Sequence, residues 1–194
     1  MELAHDVVRL GLYDVILLID DSGSMSFEEG GSRIDDLKLI LNRVAFAASL
    51  FDDDGVQIRF LNSPEQGNGI RNEQQVLELV ARVRFSGLTK VGTELQQKIL
   101  DPLILQSARA GQLRKPVLVI IVTDGQPAGE DRNTLANNIR QALGLLSSTK
   151  YGRGALAIQI AQVGNDLKAQ EFLSKLDEEA DIGQNIDCTS SKLR

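Results

Sequence analysis

Two short, uninterrupted apolar runs constrain the fold of this chain more than any other feature. They cover residues 15–19 (VILLI) and 117–122 (VLVIIV), and they end abruptly at Asp20 and at Thr123. Runs of this length, rich in β-branched residues, predict strands that are buried on both faces, which is typical of a parallel sheet covered by helices. The sequence therefore favours an α/β architecture.

Further strands are predicted on both sides of these two runs. Residues 155–163 form a third apolar run, and residues 184–188 are expected to form a last short strand. Residues 56–61 alternate between apolar and polar side chains, as a half-exposed or near-edge strand would. The segment 63–72 reads as a loop, with a short edge strand near Ile70.

Helical patterns lie between the strands. Apolar residues recur at spacings of three and four in five segments, the last of which is expected over residues 167–179. Pro102, inside the third segment, predicts a kink or a break. Strands that alternate with helices predict a doubly wound, Rossmann-like α/β sandwich with helices on both faces of the sheet. At 194 residues we expect one domain over residues 1–194, with its core at about 13–188.

Composition excludes several classes of function. The net charge of −6, with no block of Lys and Arg, argues against a nucleic-acid partner. A single cysteine, Cys188, and a single histidine, His5, exclude a disulfide framework, a cysteine-based zinc cluster and a multi-histidine metal site. No apolar stretch is long enough for membrane insertion, and no signal peptide is visible. We therefore expect a cytoplasmic protein, or an extracellular one if an export signal has been removed; no oligomeric state is predicted.

Three polar segments carry the candidate chemistry. Asp20, Ser22 and Ser24 follow the first buried strand, Thr89 precedes a helix, and Asp124 follows the second buried strand. Ligands of open α/β sheets bind beyond the carboxyl ends of the strands, near the point where strand order reverses. If the two strands are neighbours there, their carboxylates repel each other, and a divalent cation relieves that repulsion. Oxygen ligands without nitrogen or sulfur favour Mg²⁺, with Mn²⁺ or Ca²⁺ as alternatives.

The charge of such a site suggests what it would bind. Two carboxylates balance the charge of the ion, but hydroxyl groups donate weakly, so the ion stays electrophilic. Mg²⁺ also prefers octahedral coordination and keeps exchangeable waters. One exchangeable position could therefore accept an outside oxygen, most favourably the carboxylate of an Asp or Glu on a partner protein.

These three segments resemble the metal-ion-dependent adhesion site of von Willebrand factor A domains, including the inserted domains of integrins. The resemblance implies that Ser22, Ser24 and Thr89 coordinate the metal, that Asp20 and Asp124 coordinate it directly or through water, and that an acidic residue of the ligand completes the shell. It also implies a mostly parallel sheet of order 3-2-1-4-5-6 with one short antiparallel edge strand. No catalytic residue is implied.

Two assignments within the motifs have alternatives. Thr93 competes with Thr89 for the role of threonine ligand; we assign Thr89, and Thr93 is then the N-cap of the following helix. Asp21 is either an acceptor behind the ligands or a solvated side chain.

We expect a non-enzymatic, Mg²⁺-dependent protein-interaction module. One alternative is a metal-dependent phosphoesterase or phosphotransferase that uses Asp20, although Lys90 is the only basic residue near the motifs. Another is a scaffold domain of a larger assembly, without a metal-bridged ligand.

Overall fold

Six strands form one sheet in a computed structural model that describes residues 11–27, 32–50 and 54–190. The strands are β1 (Asp14–Ile19), β2 (Val56–Phe60), β3 (Gln66–Ile70), β4 (Val117–Thr123), β5 (Leu156–Gln162) and β6 (Ile186–Ser190). Their order in the sheet is β3-β2-β1-β4-β5-β6, and within the described chain only the β2–β3 pair is antiparallel. The predicted doubly wound sheet, its strand order and its antiparallel edge strand are thereby confirmed.

Helices connect the strands and cover both faces of the sheet. They are α1 (Gly23–Phe27), α2 (Ser32–Ser49), α3 (Glu73–Arg82), α4 (Val91–Leu95), a π-helical segment (Gln96–Leu105), α5 (Gln106–Arg109), α6 (Thr134–Ser147) and α7 (Leu167–Asp177). Two 3₁₀ turns, Arg153–Ala155 and Gly183–Asn185, lead into β5 and β6. Among the described residues, no helix combines the length and the apolarity that crossing a bilayer requires.

The central strands are apolar because helices cover them on both sides. Successive side chains of a strand point to opposite faces, so Leu17 and Leu18 enter different hydrophobic clusters, and both are fully buried. The Leu17 cluster packs against α2 and α3, whereas the Leu18 cluster packs against α4 to α7. Both clusters share β1 and β4, which places the two strands that carry the acidic motifs at the centre of the molecule.

Of the kink or break predicted at Pro102, the break is wrong. The helix that starts at Val91 continues through Pro102 to Arg109, with π-helical hydrogen bonding over residues 96–105. Proline disrupts an α-helix because it lacks an N–H group and its ring collides with the carbonyl group four residues earlier. The wider π-helical turn shifts the hydrogen bonds by one residue, and the chain stays helical.

Two strand predictions are confirmed in part. Residues 56–60 form the near-edge strand that was one alternative for this run, whereas the half-exposed alternative is wrong, because the strand is mostly buried and Arg59 is only 9% exposed. The cause is β3, which covers this edge and supplies Gly67 O and Asn68 Oδ1 as acceptors for the guanidinium of Arg59. The last strand begins at Ile186 rather than at residue 184, because the 3₁₀ turn takes up residues 183–185. His5 lies outside the described residues.

Candidate metal site

The two acidic motifs lie side by side at the carboxyl edge of the sheet. Ile19 of β1 is paired with Val122 of β4, and the two strands are parallel neighbours. The ladder extends one residue further, because the Asp20 amide donates to the Val122 carbonyl at 2.9 Å. Asp20 and Asp124 therefore leave the sheet next to each other, at the point where the strand order reverses.

A chain of hydroxyl groups links the first motif to the second aspartate. The hydroxyl groups of Ser22 and Ser24 are 3.0 Å apart, and that of Ser24 donates to Asp124 Oδ1 at 3.0 Å. Asp20 is held on both carboxylate oxygens: the Ser22 amide donates to Oδ1 at 2.9 Å and the Thr123 hydroxyl to Oδ2 at 2.7 Å. Four of the five residues predicted as ligands thus lie in one hydrogen-bonded group, which Asp20 joins through the Ser22 amide.

Backbone hydrogen bonds connect the loop of Thr89 to the loops that carry this group. The Ser86 amide donates to the Asp21 carbonyl at 2.7 Å, which ties the Thr89 loop to the first motif. The Ala128 amide donates to the Thr89 carbonyl at 2.9 Å, which ties it to the loop after β4. Within the described residues, the structure records no hydrogen bond from the Thr89 hydroxyl to the other four predicted ligands, although Thr89 is buried.

Burial dominates the electrostatics of Asp20. The residue has no exposed surface, and this desolvation raises the pKa of its carboxyl group from 3.8 to about 6. Hydrogen bonds from Ser22 and Thr123 lower that pKa, and the nearby charge of Asp124 adds a smaller increase. A negative charge at Asp20 is therefore poorly compensated by the protein alone.

Asp124 has a cationic partner that the sequence analysis missed. Arg33, at the start of α2, donates from Nη1 to Asp124 Oδ2 at 2.6 Å, and both side chains are almost fully buried. The two residues are 91 positions apart, so no local spacing predicts the contact. One signal was available: a positive side chain in the first turn of a helix opposes the helix dipole, and such a conflict suggests a tertiary partner.

The structure decides between the two readings of Asp21. Its side chain is fully buried. Asp21 Oδ1 accepts from the Asn62 amide and Oδ2 from the Ser63 amide, both at 2.7 Å. Asp21 is thus an acceptor that fixes the loop after β2, and it is not a solvated side chain.

The expected N-cap role of Thr93 is wrong. The residue before α4 is Lys90, and its side chain makes no capping hydrogen bond. Instead, the Glu130 carboxylate accepts from the amides of Gly92 and Thr93, each at 2.8 Å, and from the Thr93 hydroxyl at 2.7 Å. An acid supplied by the loop after β4 therefore satisfies the free amides of this helix start, a task that a local cap usually performs.

The donor atoms fit a hard divalent cation. Within the described part of the chain, no group of three or more His, Cys, Asp or Glu side chains could hold a metal ion. A cation at this edge would depend on two carboxylates, Asp20 and Asp124, and on neutral hydroxyl groups. Such a set of oxygen atoms suits Mg²⁺, which commonly takes one or two carboxylates and retains water. Arg33 is the one feature that the motif alone does not include.

Comparison with known proteins supports the architecture. No family model matches the chain, and no curated protein sequence matches it. Among solved structures, a von Willebrand factor type A protein from Catenulispora acidiphila aligns with 93% of this chain, with a TM-score of 0.54 and 16% sequence identity. The alignment covers 39% of that chain, so the match extends over well under half of its length. At this identity the likeness shows the fold alone: the chain has the doubly wound α/β fold of a von Willebrand factor A domain.

Proposed function

We propose that this domain binds Mg²⁺ at the carboxyl edge of its sheet and uses the ion to bind an acidic residue of a partner protein. Asp20, Ser22, Ser24 and Asp124 would hold the ion, with Thr89 as a further ligand. The observation that carries the proposal is a connected hydrogen-bonded group at the ends of two adjacent strands: the Ser22 amide binds the buried Asp20 carboxylate, and the Ser22 and Ser24 hydroxyl groups continue to the buried Asp124 carboxylate. This fold is often a protein-interaction module rather than an enzyme.

Burial explains why the site would favour a cation. The Asp20 carboxylate has lost its water and faces a second carboxylate on the neighbouring strand, which is unfavourable unless a positive charge is near. A divalent ion would supply that charge. The Ser22 and Ser24 hydroxyl groups could then turn their lone pairs toward the ion, because hydroxyl hydrogens rotate freely.

The charge balance favours an anionic ligand on the ion. Asp20 and Asp124 together balance the two positive charges of Mg²⁺, and Arg33 adds a positive charge beside Asp124. The hydroxyl ligands donate weakly and add no charge, so the ion stays electrophilic and a carboxylate is a better outside ligand than a neutral oxygen. The ion supplies one chemical property, a Lewis-acidic position for that carboxylate.

The surface beside the site suits a protein partner. Phe27, at the end of the helix that carries Ser24, is 84% exposed, and Leu88, next to Thr89, is 52% exposed. Large apolar side chains in contact with water next to a polar site are typical of a contact surface for another protein. We expect the acidic residue of the partner to be accompanied by apolar side chains.

Thermal unfolding in EDTA and in millimolar Mg²⁺ tests the metal site. A ligand at 100 times its Kd stabilises a protein by about 2.7 kcal/mol, which for a domain of this size raises Tm by about 5–10 °C. We expect this shift in the wild type and its loss in Asp124→Asn. Asp36→Asn, which removes one exposed carboxylate of α2, is the matched control and should keep the shift. A wild-type Tm that does not respond to Mg²⁺ would refute the metal site.

A peptide-display selection tests the ligand. The domain is used as bait once in Mg²⁺ and once in EDTA, with Asp124→Asn as the negative control. We expect peptides enriched only in Mg²⁺ to share an Asp or Glu, and replacement of that residue by Asn or Gln to abolish binding. Enriched peptides that bind equally well in EDTA would argue for a scaffold surface instead.

A further inference from the structure

The acidic pair of the candidate site already contains a cation of its own. Arg33 Nη1 lies 2.6 Å from Asp124 Oδ2, and the side chains of Arg33 and Asp124 are 4% and 1% exposed. On its other oxygen, Asp124 accepts the Ser24 hydroxyl. One carboxylate thus contacts both the hydroxyl chain of the site and the guanidinium.

The surrounding backbone leaves room for this guanidinium. Gly164, in the loop after β5, has a φ of +73°, and a Cβ atom there would lie 2.7 Å from Arg33 Nε. A residue with a side chain at position 164 would therefore collide with Arg33. The arginine is seated in a space that the loop after β5 leaves open, and it is not a mobile surface side chain.

We infer that Arg33 is a built-in counter-ion of Asp124 that weakens metal binding at the candidate site. The inference rests on the proposed function and adds a determinant of its affinity. In the metal-free domain the guanidinium compensates one of the two buried carboxylates. When the ion binds, the two cations share Asp124 and repel each other, and the burial of Arg33 limits how far water screens that repulsion.

This pairing has two consequences for the domain. Without Arg33 the two carboxylates would repel each other uncompensated in the metal-free state, so the arginine keeps that state folded. With Arg33 present, the ion binds less tightly, and its remaining positive field is stronger toward an incoming carboxylate. The arginine therefore lowers affinity for the metal and raises affinity of the loaded site for an acid.

Calorimetric titration of the full chain with Mg²⁺, and with Mn²⁺ followed by electron paramagnetic resonance, measures the effect. Removing one nearby positive charge should tighten metal binding, and we expect Kd to fall by about tenfold or more in Arg33→Met. Arg33→Lys keeps the charge and should stay within about threefold of the wild type. Arg43→Met removes an exposed positive charge from the same helix and is the matched control.

The outcomes separate this inference from the proposed function. A Kd that is unchanged or weaker in Arg33→Met, while the wild type binds Mg²⁺, overturns the inference and leaves the metal site intact. Binding in neither protein overturns both. If Arg33→Met does not fold, Arg33→Gln replaces it in the same titration.

A double-mutant cycle without metal tests the counter-ion role separately. Arg33→Met and Asp124→Asn should each lower the midpoint of urea unfolding in EDTA, and the double variant should recover part of the loss, because it removes both members of the buried ion pair. Additive losses in the cycle would overturn the counter-ion role.

Discussion

The two aspartates of the candidate site are compensated in different ways. Asp124 has a full positive charge beside it, the Arg33 guanidinium, whereas the hydrogen bonds that Asp20 accepts from the described residues come from neutral groups. Hydrogen bonds offset only part of the lost hydration of a carboxylate, and burial therefore still raises the pKa of Asp20 to about 6. In the metal-free domain, the negative charge of Asp20 is therefore less well compensated than that of Asp124.

Asp20→Asn should therefore stabilise the metal-free domain at neutral pH. The native pKa of about 6 exceeds the ordinary value of 3.8, so between these pH values the native state holds more protons than the unfolded state. This contribution to stability is present below pH 3.8 and is lost as pH rises through 6. Asparagine does not titrate, so the variant does not lose stability at this position as pH rises. Its free energy of unfolding in EDTA at pH 7 should exceed that of the wild type by on the order of 1 kcal/mol.

Urea unfolding from pH 4 to pH 7 measures this difference. The wild type should lose stability relative to Asp20→Asn as pH rises across this range, and the two curves should converge at the acid end. In Mg²⁺ the order should reverse, since the variant lacks a ligand. A variant that is less stable than the wild type at pH 7 in EDTA would contradict the account of Asp20.

At the scale of elements, the start of α4 depends on a distant acid. Glu130 binds the amides of Gly92 and Thr93, and the carbonyl of Thr89, one residue before Lys90, accepts from the Ala128 amide. The loop after β4 thus fixes both the helix and the segment that carries the predicted threonine ligand. The placement of Thr89 is a property of this pair of elements rather than of its own sequence.

Glu130→Gln should destabilise the domain by about 1–3 kcal/mol, because an amide nitrogen then faces an N–H donor that has lost its acceptor. Glu171→Gln is the matched control: Glu171 is exposed on α7 and pairs with Lys175, a contact of a kind worth less than about 1 kcal/mol. Chemical denaturation of both variants measures the difference. Equal stability of the two variants would show that Glu130 does not secure the helix.

The elements could be predicted from the sequence, but several contacts between them could not. β1 and β4 could each be predicted from their own residues, because burial on both faces requires consecutive apolar side chains. The contacts of Arg33 and Glu130 have no such run behind them, since their partners are 91 and about 37 positions away, and the one available signal is the conflict of the Arg33 charge with the helix dipole. The break predicted at Pro102 is absent because the rule for proline assumes α-helical hydrogen bonding, whereas this segment is π-helical.

At the scale of the whole molecule, one sheet separates two hydrophobic layers. The layer that contains Leu17 lies under α2 and α3, and the layer that contains Leu18 lies under α4 to α7. β1 and β4 contribute side chains to both layers, and their ends carry Asp20 and Asp124. The distance between the two acidic motifs is therefore fixed by the most buried part of the fold. Unfolding of either hydrophobic layer should disturb the positions of both motifs.

Leu17→Ala and Leu18→Ala test whether the two layers unfold together. The residues are adjacent in β1, are equally buried and face opposite layers, so each serves as the control for the other. Each substitution leaves a cavity and should lower the free energy of unfolding by about 2–5 kcal/mol. Because both layers share the central strands, each variant should still unfold in a single transition, with far-UV circular dichroism and tyrosine fluorescence giving the same midpoint. A second transition in only one variant would mean that its layer unfolds separately, and the aspartates would then be held by the remaining layer alone.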